Sequence, residues 1–325
     1  MSDASKRPAL GAVYALGGAL LFGINGSVAK VVMAAGVTAP QLTFMRGLST
    51  AILAGVVLLF TAREQFRISR RDMLGLALLG VAGLAMIQWL YSVAIAILPV
   101  GIALLIQYTA VVIVALAAWL LFKERVHPRL WVAIAAVLVG LAIVSRIWDS
   151  DLDAIGVVAA AAAAFAYAFY FLAGERGVAK RPAMAVAFWA SLFSSAFWAL
   201  FSGWWRMDLA ALARPSSLTG ALDGVVLPAW VPLLWVITLG AFAPFVLSFA
   251  ALRHLSATAV GILASSEVLF AFVVAWAWLG EAMAAVEIAG AALMLAGIVI
   301  AQTARERHAR ADEDVPLAQE PTEVP

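Results

Sequence analysis

The 325-residue chain has no cysteine, only three histidines, and charged residues at just 12% of its length. Without cysteine there can be no disulfide and no thiolate metal site, and the redox compartment leaves no trace. Soluble domains carry about 25% charged residues. A chain with half that share cannot coat itself in side chains that suit water. The histidines, His127, His254 and His308, fall in connectors or in the tail. None sits in an apolar run where it could serve as a base or a metal ligand. HExxH, GxSxG and Walker A motifs are absent, and each would be needed for the chemistry it encodes. Every Asp lies in a loop or terminus, so no pair of intramembrane aspartates exists. A Ser–Lys pair using Lys30 is the one nucleophilic arrangement left, and no motif supports it. The chain is therefore read as no enzyme, with no metal, no cofactor and no ATP drive of its own.

Apolar residues, by contrast, make up 65% of the chain, and mean hydropathy is +1.01. Globular proteins sit near 45–50%. The solvent for this surface must be lipid. Ten apolar stretches are long enough to span about 30 Å of hydrocarbon, near 10–33, 40–61, 73–96, 100–122, 129–146, 155–174, 183–205, 229–252, 258–279 and 285–303. They lack the dyad alternation of barrel strands, so they are read as helices. The first is too long for a signal peptide and is expected to be retained. Residues 304–325 are polar and proline-bearing, and read as a disordered tail.

Lys and Arg set the orientation. Sixteen of the 21 fall in connectors on one side of the ten-span arrangement and three on the other. The richer side is the cytoplasmic one, which places both termini in the cytoplasm; the expected location is the inner membrane.

The sequence also repeats. Shifted by 157 residues, 98–144 aligns with 255–301 without gaps, matching Leu98 with Leu255, Trp119 with Trp276, Glu124 with Glu281 and Gly140 with Gly297. Shifted by about 145, FGINGS at 22–27 lies over YAFYFL at 167–172. The longer connector 206–228 accounts for the change of offset. The expected fold is an all-α membrane protein of ten transmembrane helices in two five-helix repeats, 10–146 and 155–303, after a short cytoplasmic N-terminus at 1–9. Five is odd, so the second half starts from the opposite face and the repeat is inverted, a common transporter design.

Each half has a span ending in Glu, WLLFKER at 119–125 and WAWLGEAM at 276–283. With the two five-helix halves, this resembles the drug/metabolite transporter superfamily, EamA family. GSVAKVVMAAGVTAPQLTFMRGLSTAI (26–52) and LPVGIALLIQYTAVVIVAL (98–116) are similar to bacterial amino-acid exporters of that family, those for threonine/homoserine and for aromatic amino acids. The resemblance covers about residues 10–303. It implies export of a small metabolite by alternating access. One departure stands out. The family often has proline just after the position of Glu267 and in the matching place of the first half; here those residues are Val268 and Val111. Pro244, in the eighth span, is a separate candidate for a kink.

Ionisable residues inside spans point to function by default, because each costs at least a few kcal/mol. Glu267 lies roughly 13 Å along the ninth span, near mid-membrane. It could contact a substrate amino group, carry a proton, or serve as a structural carboxyl. The repeat brings Gln107, Tyr108 and Thr109 beside Ser265, Ser266 and Glu267, with Ala110 in the glutamate's own place. Both halves thus offer polar groups at similar depth from opposite faces. Arg46, about 9 Å inside the second span, could bind a carboxylate, pair with Glu267 or cap backbone carbonyls. Lys30 reads as snorkelling to the interface, and Asn25 and Ser27 lie slightly deeper. Tyr91, Tyr167 and Trp189 lie deeper than the tryptophans that fit an interfacial belt, and are candidates for an aromatic lining. Glu124 and Glu281 fall at span ends and read as helix-end hydrogen-bonding groups or as part of the family architecture, rather than as cavity carboxylates. The substrate-binding candidates are Glu267, Gln107, Tyr108, Ser266, Tyr91, Tyr167, Trp189, Asn25 and Arg46. The expected partners are a small-molecule substrate, an amino acid or related metabolite, and membrane lipid; basic clusters at 63–71 and 305–310 read as topology signals rather than nucleic-acid sites. Efflux of drug-like or other metabolites, and a non-transporting membrane sensor, are the alternatives.

Overall fold

Apolar helices that cannot hide their surface in a core of their own must pack side by side, and close approach then depends on small residues. The computed structural model describes residues 7–121, 128–144, 152–178, 181–252, 254–255, 260 and 263–313. Among these, six helices are long and apolar enough to cross a membrane: Pro8–Ala34, Ala39–Thr61, Arg70–Ile97, Ala154–Ala173, Ala183–Phe201 and Trp230–Ser248. Four shorter apolar helical runs join them, at Val100–Val114, Trp131–Val144, Ser266–Leu279 and Ala285–Ile300. Glu124, Thr258 and the end of the tail lie outside the described residues. Within the described part of the tail, helix continues to Glu313, past position 304 where disorder was expected to begin.

The first two spans are α1 (Pro8–Ala34) and α2 (Ala39–Thr61). Thr38 and Gln41 form a capping box that starts α2, satisfying backbone donors that the first turn leaves open. The third span is compound. It begins as α3 (Arg70–Leu78), widens to a π-helical stretch at Leu79–Ala85 and resumes as α4 (Met86–Ile97). The fourth is α5 (Val100–Tyr108) followed by α6 (Ala110–Leu121), and the fifth is α7 (Pro128–Val144). The second half runs through α8 (Ala154–Val178) and α9 (Ala183–Phe201). Next comes the long connector, with the short α10 (Leu209–Ala213) and a two-stranded antiparallel ribbon, β1 (Pro215–Ser217) against β2 (Val226–Pro228). It ends with α11 (Trp230–Thr238), α12 (Ala243–Leu252), α13 (Ser266–Val274) and α14 (Ala285–Glu313).

The packing partners respect an exchange of halves. α1 packs on α12 and α13, and correspondingly α8 packs on α4 and α5. α2 meets α9, its own counterpart, and α7 meets α14. The α7–α14 contact is the most intimate. A Cβ on Gly140 would lie 2.7 Å from Gly290 O, and one on Gly297 2.9 Å from Ala133 O. The aligned glycines of the repeat therefore sit where two backbones touch. Large apolar side chains such as Phe60, 82% exposed, and Leu200, 70% exposed, cover the outside, as a lipid-facing surface requires.

Two of the helix interruptions are also paired, while a π-helical stretch at Ala275–Leu279 falls opposite ordinary helix in α6. The π-helical stretch of the third span corresponds, at an offset of 157, to a turn at 239–242 between α11 and α12. Pro244 sits in the first turn of α12, just past that turn, where its missing N–H costs nothing. The apolar helical runs containing Thr109 and Ser265 break at those residues, although the expected prolines are valines. Hydroxyls take their place. Thr109 Oγ1 donates to Ile106 O at 2.7 Å, and Ser266 Oγ to Leu263 O at 2.6 Å. Both are bonds to the i−3 carbonyl, and both residues and acceptors correspond at the same offset. Such side-chain bonds compete with the helical ladder and bend helices.

Candidate functional site

The two broken helices meet at their breaks. Tyr108 closes α5, and Glu267 lies in the first turn of α13. The Tyr108 hydroxyl donates to Glu267 Oε2 at 2.7 Å, joining residues 159 positions apart. A hydrogen bond to an ionised group inside a bundle is among the stronger kinds. Tyr167 of α8 packs edge-on against Tyr108, with ring centroids 6.1 Å apart, and stacks on Phe171 at 4.4 Å. Arg46, Glu267 and Tyr91 lie in one neighbourhood, which Tyr108 and Tyr167 share. Tyr91 is held against α1: a Cβ on Gly26 would lie 2.7 Å from its hydroxyl oxygen. Gly23, one turn earlier, lets α1 approach Glu267 O and Ala271 N of α13.

On the elements around this pair several polar atoms are buried without a hydrogen-bond partner among the described residues. They are Arg46 Nε and Nη1, Asn25 Oδ1, Ser27 Oγ, Gln88 Oε1 and Gln107 Oε1. Buried polar groups are nearly always satisfied, so an orphaned set asks for an explanation. Gln88 lies one turn before Tyr91 on α4, and Gln107 adjoins Tyr108. Asn25 lies against Gly240 in the turn between α11 and α12. Glu267 itself is half-buried at this depth.

The structure thus brings Glu267, Tyr108, Tyr91, Tyr167 and Arg46 together, with Gln107 and Asn25 on the elements that border them. It sets two candidates apart. The Ser266 hydroxyl is used on Leu263 O, so this residue shapes the helix rather than presenting a free group. Trp189 donates from Nε1 to Gln65 O at 3.1 Å and packs with Phe188 and Phe193. It fastens α9 to the connector after α2, beside the Arg181–Asp72 ion pair at 3.1 Å. We expect Trp189→Phe to leave substrate affinity unchanged within about twofold and to lower stability by about 1 kcal/mol, the worth of one hydrogen bond. Binding and thermal unfolding measured on one preparation check this.

Sequence reasoning missed Gln88, and it missed what Lys30 does. Lys30 Nζ lies 2.6 Å from Glu281 Oε1 and donates to Leu98 O at 3.2 Å. Glu281 Oε2 accepts from Val100 N at 2.8 Å, so it caps the start of α5 from the other half of the chain. This latch joins α1, α5 and the segment just past the π-helical stretch Ala275–Leu279 that follows α13, at the end of the bundle where α1 finishes. The connector covers the same end: Trp278 Nε1 donates to Leu218 O at 3.1 Å. Helix-end hydrogen bonding, the expected role of Glu281, is what it does. Its cross-half partner could not be read from a separation of 251 residues. We expect Glu281→Gln to weaken the latch and raise labelling, by an impermeant thiol reagent added at that end, of a cysteine placed at Tyr91. Unchanged labelling would mean the latch does not close the bundle.

Two alike sets of apolar helices, related by exchange and meeting at a buried polar cluster, define a membrane transporter built on a repeat. The chain belongs to the EamA-like transporter family, whose model matches it twice, at residues 9–146 and 154–303. Shorter likenesses reach curated proteins. The chain is 43% identical over 70 residues to the probable 4-amino-4-deoxy-L-arabinose-phosphoundecaprenol flippase subunit ArnE of Salmonella paratyphi B, and equally to that of Salmonella typhimurium. That match covers 22% of this chain and 60% of the relatives' length. A solved structure, titled only as the crystal structure of a protein, superposes with a TM-score of 0.55 at 21% identity, over 89% of this chain and 98% of that one. It supports the fold.

Proposed function

We propose that the protein is a secondary transporter that exports small metabolites, amino acids first among them, across the inner membrane by alternating access. On this reading ten helices span the membrane in two inverted repeats, and both termini are cytoplasmic. The observation that carries it is the Tyr108–Glu267 hydrogen bond at the junction of the two broken helices. Each half supplies one partner, so a movement of one half against the other must strain or remake the bond. Interrupted helices at membrane depth are tolerated where they line a cavity, and substrate sites of such repeats lie between the halves. Glu267, Tyr108, Gln107, Tyr91, Tyr167, Asn25 and Arg46 line the site. Lys30 and Glu281 then close its periplasmic side.

A second reading has one observation in its favour. An apolar cavity of about 330 Å³ opens between α13 and α14, lined by Leu269, Phe272, Val273, Trp276, Ala291 and Leu295 among others. A substrate with a hydrocarbon tail could rest the tail there, which suits the lipid-linked sugar that the ArnE relatives are named for. Counterflow in proteoliposomes separates the two. Exchange of labelled water-soluble amino acids supports the first reading; movement restricted to lipid-linked probes supports the second. A broad panel in which nothing exchanges rejects transport.

A further inference from the structure

Arg46 is 6% exposed on α2. Its guanidinium donates no hydrogen bond to any described residue, and Nε and Nη1 are shut away from solvent. Leaving buried charged donors unmet costs several kcal/mol, so a fold that keeps them is holding them for something. On the same helix the hydroxyls give their protons to carbonyls, Thr43 Oγ1 to Ala39 O at 2.9 Å and Ser49 Oγ to Arg46 O, and neither accepts a hydrogen bond from the guanidinium. Glu267 belongs to the same buried cluster, yet it forms no salt bridge with Arg46. Its Oε2 is taken by Tyr108, and its Oε1 accepts no hydrogen bond from a described residue. The cluster thus holds one positive and one negative group, drawn toward each other and kept apart.

We propose that Arg46 is the anchor for a substrate carboxylate and that Glu267 faces the substrate's ammonium group, so that the site selects zwitterions. The inference rests on the transport reading above and deepens it. Charge balance supports it. A phosphate dianion would add two negative charges beside Glu267 with one cation to meet them. A simple amine would bring a second cation toward a guanidinium that stays unmet. A zwitterion gives each buried charge an opposite partner and leaves the cluster neutral. The orphaned oxygens also fit: Asn25 Oδ1, Gln88 Oε1 and Gln107 Oε1 are acceptors, suited to a donor-rich ammonium group. The three tyrosines, Tyr91, Tyr108 and Tyr167, border the cluster with neutral aromatic groups and put no charge against a side chain.

The test uses the full-length protein in proteoliposomes and a panel of L-amino acids, each with its methyl ester, which lacks the anion, and its N-acetyl derivative, which lacks the cation. For whichever amino acids exchange, we expect the ester and the N-acetyl form to compete roughly 30-fold or more weakly, the cost of leaving one buried charge unpaired. Arg46→Gln should erase the preference for the acid over the ester while keeping the preference against N-acetylation. Arg46→Lys, which keeps the charge, should fall between, and serves if the glutamine variant does not fold. Esters that compete as well as acids overturn the anchor while transport stands. An acid preference that survives in both variants also overturns it. No exchange by any solute overturns the transport reading and the anchor with it.

Discussion

Glu267→Ala should lower the initial rate of counterflow by about 100-fold or more. The change deletes the one hydrogen-bond partner the Tyr108 hydroxyl has among the described residues and leaves Tyr108, 8% exposed, as a buried unsatisfied donor, at a cost of about 1–3 kcal/mol. It also removes the charge that balances Arg46 in the same cluster. Loss of one partner of a buried charge pair commonly costs 2–5 kcal/mol in binding, and the two effects together reach the stated fold-change. Glu267→Gln separates them. The amide oxygen still accepts from Tyr108, so the junction between α5 and α13 survives, and only the charge is lost. We expect the glutamine variant to fold like the parent and to exchange more slowly, and Tyr108→Phe to do the converse, retaining the charge while loosening the junction. Equal rates in parent and Glu267→Gln would rule out both a titrating and a charge-pairing role for this carboxylate.

The second large effect concerns assembly. Gly140→Leu should prevent α7 and α14 from packing. A Cβ at Gly140 lies 2.7 Å from Gly290 O and 2.8 Å from Met294 N, both backbone atoms that cannot swing aside. The helices must part, and the dense contacts of Val137, Met294 and Ile298, all fully buried, are lost with them. Overpacking of this kind typically costs 1–3 kcal/mol and occasionally more. Here, the further loss of helix contact puts it at the upper end. Most of the variant should run as aggregate on gel filtration in mild detergent. Gly75→Ala is the control. A Cβ there meets nothing within 4 Å, so the protein should remain monodisperse, with stability unchanged or raised by up to about 1 kcal/mol from helix propensity. If both variants behave alike, the close approach at Gly140 does not matter.

What could be read ahead of the structure follows from what kind of force acts. Hydrophobic thickness is a one-dimensional property of sequence, so the apolar stretches were legible, and the 157-residue offset brought Gln107–Thr109 and Ser265–Glu267 to one level before any contact was known. The same offset also matches Gly140 with Gly297, and both prove to be close-approach points of α7 and α14. The helix breaks were half legible. No proline marks them, but Thr109 and Ser266 coincide at that offset, and a hydroxyl recurring in the middle of an apolar span is a signal that a helix-bending side-chain bond leaves behind. Contacts set by the rotation of one helix against another were not legible. Lys30 reads as an isolated snorkelling lysine because Glu281, which it meets, belongs to the other half. Trp189 reads as deep because depth counts residues and not partners, and Gln65 O lies on a connector. Ser266 was a fair candidate by depth, and only the direction of its hydroxyl removes it.

The most direct measurement exploits the absence of native cysteine. A single cysteine at Gln107, in an otherwise unaltered chain, is exposed to a membrane-impermeant maleimide from one face of sealed vesicles and then, in separate vesicles of opposite orientation, from the other. Gln107 is 6% exposed and adjoins the Tyr108–Glu267 junction. If the cluster between the halves is an alternately opened transport site, the cysteine is modified from each face, and a saturating amino-acid substrate protects it. Modification from neither face, or from one alone whatever the solute, would show that the buried polar groups are part of a sealed core, and would contradict transport through this site.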